Sequence, residues 1–86
     1  MIAGKTSSGF EFKIEEHVLD NMELLDAIVE ADENPALIPK IVNMVLGKDG
    51  KKRLYDHLRT ENGNVPIMAV AAEVAEIFNC NQQGKN

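Results

Sequence analysis

Residues 35–47 read PALIPKIVNMVLG, and this stretch decides the fold. Pro39 is tolerated only in the first turn of a helix, so a helix begins around Pro35–Lys40. It continues through Ile41, Val42, Asn43, Met44, Val45 and Leu46 and stops at Gly47, a good C-terminal cap. Lys40 and Asn43 alone break its apolar girth. A helix that is apolar on more than one face is central to a fold or forms half of an interface.

Working toward the N-terminus, Asn34-Pro35 ends the preceding element. That element is a helix over NMELLDAIVEADE, with Asp20 as N-cap and Glu23 as its capping-box partner, or an earlier start near Glu15. Val18, Met22, Leu25 and Val29 form its apolar stripe, widened by Leu24 and Ile28. Glu23, Asp26, Glu30 and Glu33 occupy the opposite face, where like charges three or four apart repel weakly. Further back, Phe10, Phe12 and Ile14 alternate with Glu11 and Lys13, which predicts a strand. The turn-prone Thr6-Ser7-Ser8-Gly9 makes Met1–Lys5 its hairpin partner. A lone hairpin is marginal in water, so this one must pack on helices.

Working toward the C-terminus, Lys48-Asp49-Gly50 reads as a turn. Asp49 caps a third helix, KKRLYDHLRTEN, closed by Gly63. Its thin apolar set, Leu54, Tyr55 and Leu58, places it on the surface. Pro66 opens a fourth helix, IMAVAAEVAEIF, whose only charges are Glu73 and Glu76. Asn79 to Asn86 is polar and reads as a frayed tail. The expected architecture is mainly α: a small domain of about four helices with a short N-terminal β-hairpin. Residues 1–80 form the single domain, with the hairpin at 1–14, and residues 81–86 form a flexible tail.

Composition bounds the function. The chain has 86 residues, 44% hydrophobic and 27% charged, which is globular rather than disordered. Cys80 is the single cysteine, so no internal disulfide forms. No apolar run reaches membrane-spanning length, and MIAGKTSSGF lacks the pattern of a signal peptide, so the expectation is a soluble intracellular protein without a membrane partner. The net charge of −5 argues against nucleic acid. Residues 11–33 hold nine acids and only Lys13, whereas residues 40–59 hold six bases and two acids. Such asymmetry serves internal pairing or partner choice.

No chemistry-bearing constellation stands out. His17 and His57 lie in different elements with no third ligand at metal spacing. His57, beside Asp56, reads as solvent-facing, and His17 reads as part of the approach to the first helix. Cys80 has no basic neighbour in sequence and reads as a small thiol at a helix end. There is no phosphate-cradling loop, and Lys51, Lys52 and Arg53 occupy the places where a calcium loop needs oxygen ligands. A non-enzyme without catalytic residues, metal or cofactor is expected. A helix-turn-helix-like DNA-binding regulator, with Lys51, Lys52, Arg53 and Arg59 on phosphates, is one alternative. An acidic protein-interaction adaptor domain is another.

What remains is surplus apolar surface on the second and fourth helices. Ile67, Val70, Ala71, Val74, Ile77 and Phe78, together with Ile41 and Val45, are the candidate partner-binding residues. The same residues also suit a core, with the first helix and hairpin as lid, and the two uses are not exclusive. Self-association through the fourth helix or the second is expected.

The order of these features resembles the tail assembly chaperones of long-tailed, siphovirus-like phages and prophages of Gram-positive bacteria. The carriers are VLDNMELLDAIVEADENP, then ALIPKIVNMVLG, then KKRLYDHLRTENGNVPIMAVAAEVAEIF, with Leu58–Ile67 the most distinctive segment. The resemblance covers residues 9–86. It implies a non-enzymatic helper of virion assembly that coats the tape measure protein, keeps it soluble and recruits tail tube subunits. It also implies action in the cytoplasm of the bacterial host and absence from the mature virion. Members of this family occur as a short form and a longer form made by ribosomal frameshifting. Gly84-Lys85 is compatible with a slippery run of G then A in the gene.

Overall fold

A computed structural model of the protein describes residues 1–83. Strands β1 (Ile2–Lys5) and β2 (Glu11–Ile14) form an antiparallel hairpin with Ile2 opposite Ile14 and Gly4 opposite Phe12. Helices α1 (Glu16–Leu19) and α2 (Met22–Ala31) follow. A 3-10 turn (Pro35–Leu37) leads into α3 (Ile38–Leu58), and α4 (Ile67–Gln83) is the last described element. The mainly α architecture with four helices and a two-stranded N-terminal hairpin is the one expected from sequence.

One hydrophobic cluster joins the hairpin to the four helices. β2 contributes Phe12 and Ile14, with Phe10 just before it; α1 gives Leu19, and α2 gives Leu24 and Ala27. α3 supplies Ile38, Ile41, Val42, Val45 and Leu54, and α4 supplies Val70, Val74 and Ile77. The alternation that predicted the strand therefore holds, and the hairpin is stabilised by laying that face on the helices.

Polar contacts fix the hairpin's position. Thr6 donates its hydroxyl to Glu73 Oε1 over 2.7 Å, and both residues are buried. Ser7 donates its backbone N–H and its hydroxyl to the two carboxylate oxygens of Glu76. Arg53 donates to the Glu11 carbonyl at 2.9 Å and lies over the Phe10 ring. His57 places Nε2 3.1 Å from the Ser8 carbonyl and its ring against Phe10.

Several boundaries differ from the sequence reading. Asp20 does not cap the first long helix; it sits at the exit of α1, and Asn21 accepts the Glu23 N–H as the N-cap of α2. Both residues are good caps; burying Leu19 in the short α1 shifts the break by one position. The break expected at Gly47 is present, but no loop follows it. Gly47 takes φ 73 and ψ 178 inside α3, and helix resumes at once. The helix expected to reach Asn62 ends at Leu58, with Arg59 extended. Gly63 closes a turn on Thr60 and not the helix. Arg59 spans this turn by donating to the Gly63 carbonyl at 2.9 Å. Helix α4 runs to Gln83, past the polar stretch read as a tail from Asn79. The rest of that tail, residues 84–86, lies outside the described residues.

Candidate functional site

The open side of the fold is apolar. α2 has more apolar residues than one buried face can hold. At 100° per residue, Leu24, Ala27, Ile28 and Ala31 turn inward, and Met22, Leu25 and Val29 continue the apolar arc outward. Asp26 and Glu30 border that exposed stripe on its far side.

Two grooves lie beside this region and share Pro35 and Ile38. The first, about 200 Å³, runs between α2 and α4. Ile28 and Ala31 form one wall, Ile41 and Val74 the floor, and Met68, Ala71 and Ala75 the other wall. The alanines keep it open because they stop at Cβ. Asp32 is its one charged lining residue. The second groove, about 340 Å³, is lined by Pro39, Tyr55, Val65, Ile67 and Val70 and carries no formal charge. At the start of α4, Ile67 is 61% exposed and Met68 is 76% exposed. Neither has a preceding helical turn to cover it.

Tyr55 also lines a polar depression with Lys48, Lys51, Lys52, Asp56 and Arg59. Arg59 and Lys52 both approach the Asp56 carboxylate at 3.3 Å. They hold its pKa below the ordinary value of 3.8, through the Arg59 hydrogen bond first and then the hydrogen bond and charge of Lys52. Of the four side chains considered for phosphate contact, Arg53 is tied to the hairpin, and Lys52 and Arg59 are paired with Asp56. Lys51 lies 5.8 Å from the centre of the Tyr55 ring.

The sequence-predicted partner residues divide sharply. Val70, Val74, Ile77, Ile41 and Val45 are in the core, each 5% exposed or less. As a group they hold the fold together, which is the core use that the sequence left open beside a binding face. Ala71 and Phe78 are half-buried against that core. Ile67 alone is fully presented, while Ala71, Ile41 and Val74 show their edges in the first groove. The exposed positions not singled out in sequence are Met68, Pro35 and Pro39. Two adjacent large apolar residues at a helix start, Ile67-Met68, were the available signal.

His17 is exposed on α1, and His57 anchors the hairpin. Cys80 is half-buried and free, near Lys5, Phe12 and Glu76. Among the described residues no three His, Cys, Asp or Glu side chains are placed to hold a metal ion, and no helix is long and apolar enough to cross a membrane. What the grooves offer chemically is burial of apolar side chains. No protein-family model matches the chain, nor does any curated protein or solved structure.

Proposed function

We propose that this protein is a non-enzymatic binding module that shields an apolar helical client, and that it serves as a tail assembly chaperone of a long-tailed phage or prophage. In this reading it coats the tape measure protein in the host cytoplasm, keeps it soluble, recruits tail tube subunits and leaves before the virion matures. The observation that carries the reading is the groove between α2 and α4 with the exposed Met68 at its mouth. A groove walled by alanines and opened by a flexible methionine accepts irregular apolar side chains. The net charge of −5 supports it, because mutual repulsion keeps coated complexes apart. The resemblance carried by residues 9–86 supplies the client's identity.

Co-expression with the neighbouring tape measure gene tests this. The long client should become soluble and be pulled down with the chain. Met68→Glu should weaken capture by about tenfold or more while the melting curve stays unchanged. A client that remains insoluble, or is captured equally by Met68→Glu, removes the reading.

A further inference from the structure

The acidic and basic segments of this chain are not used on each other. Among the described residues, the ion pairs join the N-terminal ammonium to Glu16 and Asp56 to Lys52 and Arg59. None of them connects the acids of α2 to the bases of α3. Such asymmetry serves internal pairing or partner choice, and between these elements only partner choice remains.

The bases gather in one place. A depression of about 380 Å³ lies along the second half of α3, and Lys48, Lys51, Lys52 and Arg59 line it against the single acid Asp56. Lys52 and Arg59 are engaged by that acid, each at 3.3 Å. Lys48 and Lys51 make no ion pair among the described residues. They stand three apart on one helix and so share a face, with Cβ atoms about 5–6 Å apart. Lys51 is half-buried, and its ammonium lies 5.8 Å from the centre of the Tyr55 ring, a contact that holds the side chain at the depression.

From this arrangement we infer that the depression docks an acidic segment of a partner protein, two neighbouring carboxylates of which pair with Lys48 and Lys51. Asn43 and Tyr55 line the same depression and add neutral hydrogen-bond donors. Carboxylates at successive same-face positions of a helix or a strand have the spacing that the two lysines offer. A nucleic acid fits less well. Its binding grows with the number of phosphates neutralised, whereas this depression offers two unpaired cations in a molecule of net charge −5. A protein segment brings its carboxylates locally. Surface charges of this kind set register and encounter rate more than affinity, so the contact is reversible and sensitive to salt. The depression shares no residue with the groove between α2 and α4. The inference therefore goes beyond the proposed function and does not depend on it.

The test uses the full chain and a fluorescently labelled oligo-glutamate peptide, with binding read by anisotropy at low salt. The peptide should bind, and binding should fade between about 0.1 M and about 1 M salt, where the screening length shrinks from about 10 Å to about 3 Å. Lys48→Gln with Lys51→Gln removes both charges at nearly constant shape. It should weaken binding by about tenfold or more while the melting curve stays unchanged. Lys13→Gln with Lys40→Gln removes the same charge outside the depression and should change binding by less than about twofold. Asp56→Asn should tighten binding severalfold, because it frees Lys52 and Arg59 for the peptide. A chain that does not bind the peptide, or in which the two lysine pairs count equally, overturns the inference. Tighter binding of a labelled single-stranded DNA, lost in the Lys48→Gln/Lys51→Gln chain, assigns the depression to phosphates and overturns it too. So does a drop in the mass of the chain by itself in that variant, read by light scattering, which would give the depression to the acids of another copy. Client capture is scored separately with Met68→Glu, so failure of one claim leaves the other standing.

Discussion

The Thr6 hydroxyl makes two buried hydrogen bonds and also lies 3.1 Å from the Ser8 hydroxyl. It donates to the buried Glu73 carboxylate at 2.7 Å and accepts the Phe10 N–H at 3.2 Å. Thr6→Val preserves shape and removes both, leaving buried polar groups unpaired. The expected loss is about 1–3 kcal/mol, read from urea unfolding. A value within error of zero would mean that Glu73 finds another donor. Next to it, the Ser7 backbone N–H and then its hydroxyl hold the Glu76 pKa below the ordinary 4.5. A carboxylate depressed in the fold adds stability that is present above its unfolded pKa and lost as pH falls through the folded one. The hairpin contact should therefore weaken as pH drops below about 4.5, the unfolded carboxylate value. Glu76→Gln should show a shallower decline of melting temperature over that acid range, and a parallel decline would discount the contact.

At the scale of elements, α3 shows how one residue sets the course of a helix. Its buried positions run Ile38, Ile41, Val42 and Val45, and the next are Gly50 and Leu54. A continuous helix would bury position 49 instead, but Asp49 is exposed. The offset is absorbed at Gly47, whose φ of 73 and ψ of 178 belong to a region that L-residues avoid. Gly47→Ala should cost about 1–3 kcal/mol in thermal unfolding although nothing lies within 4 Å of the added methyl. An unchanged melting temperature would show that α3 can straighten without loss. Gly50 is constrained differently: a Cβ there would sit 2.7 Å from Leu46 Cβ, so the restarted helix needs the missing side chain.

For the whole molecule, the question is which apolar residues hold the fold and which remain for partners. Val74 is 5% exposed and Ile77 is fully buried, so Val74→Asp or Ile77→Asp should lose several kcal/mol and unfold much of the protein at 37 °C. Met68→Glu, one to three turns away on the same helix, should melt like wild type. Circular dichroism on the three variants separates core from surface. Equal melting of all three would mean that α4 is not packed as described.

Much of this was legible locally. The alternation of Phe10, Phe12 and Ile14, the helix entry at Pro35, the break at Gly47 and the restart after Pro66 follow from backbone sterics and side-chain period. Both act over a few residues and do not wait for the rest of the chain. The acid–base asymmetry was equally plain, though its use was not. Tertiary structure decided between neighbouring caps, choosing Asn21 over Asp20 once Leu19 was buried. It also decided that α2 buries Leu24 and Ala27 and exposes Met22, Leu25 and Val29, and that α4 puts Val70, Val74 and Ile77 inside. Periodicity tells which residues share an arc. Where an arc is wider than the neighbour that covers it, only the placement of the other elements selects the covered part, and that placement rests on contacts far apart in the chain.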